Sequence, residues 1–452
     1  MNYCFRSSQV LLQHSPGPMP ALVVVKDGKF GAIEPYDAKP PFRLVDMGDT
    51  LILPGIVDTH AHINEPGRTE WEGFQTATRA AAAGGITTVV DMPLNSIPAT
   101  VSLEALRTKA AAAEGQCTID YGFWGGVIPG NSGELAQMVD HGALGFKCFL
   151  IDSGVSEFPM SVEADLRKAM PILKAKGVPL LVHAELESPV PDLAKSDPKA
   201  YETFLKSRPE KWEVDAIQMV IGLSQETGCP VHIVHLSAAS ALPWIREAQE
   251  KGIAITTETC PHYLHFQAEK IPEGATDFKC CPPIRGAENQ EKLWKAVKNG
   301  TISMLVSDHS PCTPNLKKLE TGDFMQAWGG IAGLQFSLSV IWTQMRARKF
   351  TLAELSNRMS VQTAQLAGLS LRKGAIAEGL DADFIAFDPD AEVQVDLTSI
   401  QHKHKLTPYL GERLYGRVLH TYLRGEEIYS HVGSEVQFPG KPRGKILRKA
   451  NS

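Results

Sequence analysis

The chain alternates apolar, strand-like runs with helical segments over most of its length, and this pattern limits its fold more than any other feature. The run GITTVVDMP (85–93) precedes the helical segment SLEALRTKAAAAEG (102–115), and CPVHIVHLS (229–237) is again followed by a helical segment. Strands that alternate with helices of about ten to fifteen residues are typical of βα units around a parallel sheet. About eight such strands fall between residues 52 and 308, and a (β/α)8 barrel needs about 250 residues. We therefore predict an α/β fold with a (β/α)8 TIM barrel at residues 53–371.

Both ends of the chain have a different pattern, in which short β-rich runs are separated by turns. ALVVVKDGKFGAI (21–33) contains two apolar runs joined by an Asp-Gly pair, which is a strong hairpin signal. DADFIAFDP (381–389) and RVLHTYLRGEEIY (417–429) are also short and bounded by turns. We therefore predict one small β domain beside the barrel, formed by residues 1–52 and 372–452.

The composition argues against nucleic acid and membranes as partners. The net charge is −6 and the basic residues are scattered, so no basic surface for nucleic acid or anionic lipid is indicated. The chain has no run of about eighteen apolar residues to span a bilayer, and its first residues lack the apolar segment of a secretory signal. The eight cysteines lack C-x-x-C spacing, which favours free thiols in a reducing compartment. We expect a cytoplasmic enzyme that acts on a small molecule.

Side chains that can bind metals stand where several of the predicted barrel strands end. His60 and His62, in PGIVDTHAHINEPG, are two positions apart, so a strand turns both side chains to one face. They end the first strand, and the carboxyl ends of barrel strands form the rim where barrel enzymes keep their active sites. Later strands end in four more candidates, Lys147, His183, His235 and Asp308. We therefore predict a catalytic metal site at this rim.

Two of these strands offer a second polar residue, and strand geometry chooses between the alternatives. His232 and His235 lie three positions apart in VHIVHLS and therefore point to opposite faces. His235 is closer to the end of the strand, so it is the better ligand and His232 the better structural residue. Asp308 and His309 are adjacent, so only one of them can face the metals. We assign that role to Asp308.

Lys147 stands in the apolar run FKCFLI, where an unpaired cation would be costly to bury. A lone lysine in such a run is usually explained by an edge strand that leaves the amine in water. That explanation does not suit Lys147, because several neighbouring strands end in histidines. A lysine amine that has captured CO2 becomes a carbamate, an anionic ligand with two oxygens. Together with the four imidazoles and Asp308, this carbamate would complete a site for two divalent metals. We expect Lys147 to bridge the two ions in this form.

Several blocks of the chain resemble the cyclic amidohydrolases of the metal-dependent hydrolase superfamily, over nearly its whole length. These blocks are FKCFLIDSGVSEFP (146–159), SRPEKWEVDAI (207–217), TCPHYL (259–264), CCPPIR (280–285) and SDHSPC (307–312). The resemblance implies a distorted barrel and a small β-sandwich domain built from both chain termini. It also implies a binuclear centre in which Lys147 is N6-carboxylysine and the other ligands are His60, His62, His183, His235 and Asp308. By the same resemblance we expect two zinc ions per subunit, with iron, cobalt or manganese as alternatives, and a homo-oligomer, as a tetramer.

Departures from neighbouring families bear on the substrate. Dihydroorotases have an arginine where this chain has Asn64, so an anionic substrate would lose its charged partner. Hydantoinases and dihydropyrimidinases have a tyrosine where it has Asp152, and a serine and an asparagine where it has Cys281 and Gly329. The resemblance therefore implies the branch of the family that acts on allantoin, a neutral hydantoin with a ureido arm. It places substrate contacts at Asn64, Ser153, Cys281 and Gly329, although Gly329 could equally serve a turn.

The reaction implied by this resemblance is hydrolysis of the ring amide of (S)-allantoin to allantoate by a metal-bridging hydroxide. Divalent metals lower the pKa of bound water from about 15.7 to about 7, so hydroxide is available at neutral pH. Asp308 would take the proton and return it to the leaving nitrogen, acting as catalytic base and then as acid. Two alternatives remain open: a dihydropyrimidinase or hydantoinase that acts on another cyclic amide, and a non-catalytic scaffold on the same fold.

Overall fold

The computed structural model describes residues 2–433 and 435–449. Its strands are Tyr3–Val10 (β1), Met19–Lys26 (β2), Lys29–Glu34 (β3), Arg43–Asp46 (β4), Leu51–Pro54 (β5), Ile56–Ala61 (β6), Ile86–Asp91 (β7), Asp120–Gly126 (β8), Ala143–Phe149 (β9), Leu180–His183 (β10), Val231–Ile233 (β11), Ile255–Thr259 (β12), Met304–Leu305 (β13), Phe384–Gln394 (β14), Arg413–Leu423 (β15), Glu426–Val432 (β16) and Glu435–Gln437 (β17).

Its α-helices are Phe74–Ala83 (α1), Leu103–Ala113 (α2), Ser132–Asp140 (α3), Glu163–Lys176 (α4), Tyr201–Ser207 (α5), Glu210–Thr227 (α6), Leu242–Glu250 (α7), Pro261–His265 (α8), Ala287–Asn299 (α9), Ser337–Ala347 (α10), Leu352–Ser356 (α11) and Gln362–Leu366 (α12). A π-helical turn, Asn357–Val361, joins the last two.

The barrel sheet contains eight strands that follow one another in chain order, from β6 to β13. Neighbouring strands pair in parallel, and α1 to α9 occupy the connections between them. A parallel bridge between Ala61 and His309 brings the end of the last strand back to the first. The predicted α/β barrel is thus confirmed.

The sequences of the barrel strands and helices fit their positions in this architecture. The strands ITTVVD (β7) and ALGFKCF (β9) are buried along their whole length, as expected where helices cover the outer face of a parallel sheet. The longest helix, α6, buries Trp212, Ala216, Val220 and Leu223, which recur at the helical period on one face. Among the residues that the structure describes, no helix combines the length and the apolar character needed to cross a membrane.

The second sheet joins nine strands from both ends of the chain, in the order β17-β16-β15-β14-β5-β1-β2-β3 with β4 beside β1. The predicted hairpin is formed by β2 and β3, and its turn residues Asp27 and Gly28 both have positive φ angles, of 53° and 78°. The ring of Phe5 in β1 lies 5.2 Å from that of Tyr422 in β15, although β5 and β14 stand between these strands. The sheet therefore curls around its apolar core, and the terminal β domain is confirmed.

A buried cluster of charges joins the terminal sheet to the barrel. The amine of Lys373 donates to carboxylate oxygens of Asp120 at 2.6 Å and Asp383 at 2.5 Å, and it lies 3.0 Å from Asp381. The three carboxylates are close enough together to hold an ion, but three cations, Lys373, Arg372 and Arg424, already pair with them. The domain boundaries after residues 52 and 371 stay a prediction; β5 ends at Pro54 and β14 begins at Phe384.

Candidate metal centre

The structure brings the six predicted metal ligands together at the carboxyl ends of the barrel strands, and all six are buried. Their positions are within β6 for His60, directly after it for His62, within β9 for Lys147, at the end of β10 for His183, and beyond the ends of β11 and β13 for His235 and Asp308. The last two have left-handed backbones, with φ angles of 38° and 45°. Non-glycine residues rarely adopt this conformation, and it clusters at functional sites.

Asp308 forms one half of the site together with the His-x-His pair. Its Oδ1 atom lies 3.2 Å from His60 Nε2 and 3.5 Å from His62 Nε2. Burial opposes ionisation of Asp308, but the two histidines outweigh it and lower the pKa of the carboxyl group. An ionised carboxylate between two imidazole nitrogens is a ligand set that zinc and similar divalent cations accept.

Lys147, His183 and His235 form the other half. His183 Nδ1 lies 2.9 Å from His235 Nε2, so two ring nitrogens face one point. The amine of Lys147 makes no hydrogen bond within the described chain and lies 4.9 Å from the ring centroid of Phe149. Burial lowers the pKa of Lys147 to about 8, which raises the fraction of neutral amine near neutral pH.

These surroundings fit a pair of divalent metals. Nearly all buried polar atoms in native proteins have hydrogen-bond partners, yet the amine of Lys147 and the Nε2 atom of His60 make none among the described residues. A cation at each half would satisfy them, provided that the lysine is carbamylated and therefore anionic. Imidazole and carboxylate-type oxygen ligands suit zinc, iron, cobalt and manganese alike, so the donor set leaves the choice among these metals open.

Glu258, in β12, supports the first half of the site and was not identified from the sequence. Its two carboxylate oxygens lie 2.5 Å from His60 Nδ1 and 2.9 Å from His232 Nε2. Burial opposes its ionisation, but His60 and His232 lower the pKa of Glu258 to about 2. A carboxylate at Nδ1 keeps the proton there and leaves Nε2 free for a metal. The one signal for Glu258 was an isolated acidic residue in the strand sequence ITTET.

Glu185 supports the other half in the same way. His183 Nε2 lies 2.6 Å from Glu185, and the guanidinium of Arg208 donates to both oxygens of that carboxylate, at 3.1 and 2.5 Å. Burial opposes its ionisation, but Arg208 and His183 lower the pKa of Glu185 to about 2. The contact leaves Nδ1 of His183 free to face His235. Glu185 lies two positions after His183, a spacing that suggests a shared face in an extended segment.

The two histidines that were weighed against His235 and Asp308 as ligands point away from the site, as strand alternation predicts. His232 turns away from the ligands and contacts Thr256 and Glu258. His309 also points away, and its Nδ1 accepts the N–H of Gly333 at 3.1 Å.

A cavity of about 400 Å³ opens above the predicted ligands. Of the four predicted substrate residues, Ser153, Cys281 and Gly329 line it, whereas Asn64 does not. The Nδ2 atom of Asn64 donates to the carbonyl of Pro311 at 3.1 Å instead. The hydroxyl of Ser153 is engaged by backbone carbonyls of its own loop, so only its backbone is free for a ligand.

Asn95 and Ser310 line the same cavity and were not identified from the sequence. Asn95 is buried, has a left-handed φ of 67° and has no described partner for its Oδ1 atom. Asn95 therefore brings a buried, unpartnered amide oxygen to the wall of the cavity. Asn95 stands in the loop after β7, where strand alternation no longer predicts the direction of a side chain.

Comparison with known proteins gives one consistent family. Residues 51–428 match the profile of the amidohydrolase family. The allantoinase of Streptomyces avermitilis is 47% identical over 446 residues and covers 98% of either chain. That of Saccharomyces cerevisiae is 46% identical over 401 residues, or 88% of this chain and 86% of the yeast protein. Among solved structures, the L-hydantoinase (dihydropyrimidinase) from Arthrobacter aurescens has a TM-score of 0.91 at 30% identity and covers 99% of both chains. These similarities include the barrel and the terminal sheet.

Proposed function

Because the chain belongs to the amidohydrolase family, we propose that it hydrolyses the ring amide of (S)-allantoin to give allantoate. The observation that carries the proposal is the convergence of the six predicted metal ligands: five of them line the floor of one cavity, and the sixth, His60, lies buried 3.2 Å from Asp308. The similarity to curated allantoinases over nearly the full length supports the substrate. Position 64 holds an asparagine and not an arginine, which is consistent with a neutral ring as substrate.

The residues that would hold two divalent cations are His60, His62 and Asp308 on one side and His183 and His235 on the other, with carbamylated Lys147 as the bridge. When bound, such cations acidify a water molecule and polarise the carbonyl of the scissile amide. Zinc is the proposed metal, and iron, cobalt or manganese fit the same donors.

Asp308 is the proposed proton carrier. Its carboxylate is ionised in the resting site, because His60 and His62 lower its pKa. It can therefore accept a proton from the attacking water and pass it to the ring nitrogen as the C–N bond breaks. Protonation is needed, because an amide anion is a poor leaving group. General acid–base assistance of this kind is usually worth about 10²–10⁴ in rate.

The cavity walls are proposed to orient the ring. Ser153, Cys281 and Gly329 line the cavity, and their backbone groups are proposed to bind the edges of the cyclic amide. Asn64 is proposed to act from behind this wall, since its amide holds the loop at Pro311. Asn95 lines the same cavity, and its side-chain amide is proposed to bind a polar edge of the substrate.

The test is an assay of purified protein with allantoin, hydantoin, dihydrouracil and dihydroorotate, alongside metal analysis. We expect two metals per chain and the highest kcat/KM for allantoin. Dihydroorotate should be the poorest substrate, because its carboxylate finds no arginine at position 64. A higher kcat/KM for hydantoin or dihydrouracil would assign the chain to the hydantoinase branch instead. Metal binding without turnover of any of the four would support a non-catalytic scaffold.

A cytoplasmic homotetramer completes the proposal. The free state of all eight cysteines supports a reducing compartment, and the family resemblance supports the tetramer. Light scattering of the purified protein tests the assembly, and fractionation of the source cells tests the compartment.

A further inference from the structure

A segment of the terminal domain reaches across to the catalytic rim of the barrel. Residues 400–407, here the bracing segment, lie in the connection between β14 and β15. The backbone N–H of Lys403 donates to the Glu72 carboxylate at 3.1 Å, and the hydroxyl of Thr407 donates to the carbonyl of Ala332 at 2.7 Å. His404 contacts the carbonyl of Glu70 at 2.7 Å. The segment therefore contacts the loops that precede α1 and α10.

Glu72 is the buried carboxylate at the centre of this contact. It is fully buried and, besides the backbone of Lys403, it accepts the hydroxyl of Thr76. On its other side it faces His309 Nε2 at 3.6 Å. Since the N–H of Gly333 donates to Nδ1 of His309, a neutral His309 ring carries its proton on Nε2, towards Glu72. In the buried interior, where the effective dielectric constant is low, the Glu72 carboxylate attracts this N–H electrostatically at that distance.

His309 connects this contact to the predicted metal ligands. Its carbonyl accepts the N–H of His62 at 2.7 Å, and its N–H donates to the hydroxyl of Ser307 at 3.1 Å. Asp308, the residue between Ser307 and His309, has the left-handed φ of 45°. Such a backbone persists only where its surroundings fix it. The residue immediately after Asp308 is thus His309, whose ring accepts the N–H of Gly333 on one side and faces the Glu72 carboxylate, without a hydrogen bond, on the other.

We propose that Glu72 is a positioning residue: it receives the bracing segment on one side and, through His309, holds Asp308 and His62 in the orientation that the metal site needs. The terminal domain thereby contributes to the geometry of a site whose ligands all belong to the barrel. The inference rests on the proposed metal centre and assigns to Glu72 no contact with the substrate.

The test is a double-mutant cycle with Glu72→Gln and His309→Gln, measured as kcat, KM and metal content per chain. Loss of a residue that orients metal ligands usually costs about 10–100-fold in metal affinity or activity. We expect kcat to fall about 10-fold in each single variant, with KM within about twofold of wild type. The double variant should fall no further than the singles, because the two residues act as one unit. Metal retention during dialysis against a weak chelator should fall in all three.

Lys403→Ala is the matched control. It removes the side-chain contact to the carbonyl of Thr69 but keeps the backbone N–H that Glu72 accepts, so kcat should stay within about twofold of wild type. Additive losses in the cycle, or variants with lowered melting temperature but wild-type kcat and metal content, would overturn the proposal. If Glu72→Gln does not fold, His309→Gln alone decides, and a wild-type kcat there overturns it.

A failure of the proposed function can be distinguished from a failure of the role proposed for Glu72. Wild-type protein would then show no turnover of allantoin, while the comparison of metal retention between wild type and the variants would still test the role of Glu72.

Discussion

Lys147 is a fully buried lysine that has no hydrogen-bond partner among the described residues. The barrel interior lowers its pKa to about 8 by burial, although Asp308 and Glu258 act in the opposite direction. A neutral amine is the form that reacts with CO2. The same surroundings that make an ammonium costly therefore favour the carbamate that we propose as the metal bridge.

Replacing this lysine should remove the metals and the activity together. Lys147→Ala eliminates the proposed bridging ligand, so we expect metal content per chain and kcat to fall in parallel, with the fold retained by circular dichroism. Short-chain carboxylates or bicarbonate should restore part of both, because they can supply the missing bridging oxygens. Full activity with two metals retained in the variant would contradict a bridging role.

Replacement of Asp308 should lower the catalytic rate. Asp308→Asn keeps the side-chain volume but cannot accept a proton at neutral pH, so kcat should fall by at least about 10²-fold with a much smaller change in KM. Steady-state kinetics on metal-reconstituted protein measures this. His309→Gln is the neighbour control, with an expected loss of only about 10-fold. If the two variants exchanged these behaviours, His309 rather than Asp308 would face the metals.

At the scale of elements, two buried lysines fix the loop that closes one side of the cavity. The amine of Lys279 donates to the carbonyl of Ala327 at 2.6 Å, and that of Lys317 donates to the carbonyl of Trp328 at 3.1 Å. Lys317 also donates to the carbonyl of Lys279 at 3.0 Å, so the two contacts are linked. The loop that carries Gly329 therefore has little room to move away from Cys281.

A methyl group at position 329 should narrow the cavity. A Cβ atom on Gly329 would lie 2.9 Å from the Sγ atom of Cys281, closer than real Cβ contacts, so the thiol must shift. We expect Gly329→Ala to raise KM several-fold with a smaller effect on kcat and on melting temperature. Adding Cys281→Ala removes the clashing sulfur and should recover part of the affinity. An unchanged KM in Gly329→Ala would show that this wall does not contact the substrate.

At the scale of the whole molecule, Lys373 and its carboxylates join the two domains. Lys373→Met would leave buried Asp383 without its cation, and removing one partner of a buried ion pair typically costs about 3–5 kcal/mol. We expect a clear drop in the denaturant midpoint, with kcat of the folded protein unchanged. Arg372→Met is a milder control, because Arg372 is more exposed and contacts only Asp381 of this cluster. Equal midpoints for Lys373→Met and wild type would contradict a joining role.

The difference between local and long-range contacts explains which parts of the site could be predicted from the sequence. The candidate ligands could be located because they stand at or near the ends of five barrel strands, and barrel geometry brings strand ends to one rim. The carboxylates that support them could not be predicted, because their partners are distant in sequence. Glu258 and His60 are 198 positions apart, and Glu72 and Lys403 of the bracing segment are 331 positions apart. Such pairs depend on strand register and on closure of the barrel, which no local pattern encodes.

The sequence by itself determined the barrel, the terminal β domain and the strand-end candidates, because burial imposes a readable period on strands and helices. The tertiary structure decided which way the residues just past the strands point. Asn64 and Asn95 share a φ of 67°, yet Asn64 turns to Pro311 and Asn95 lines the cavity. In a left-handed residue the period of two no longer applies, so the surrounding loops set the direction of the side chain.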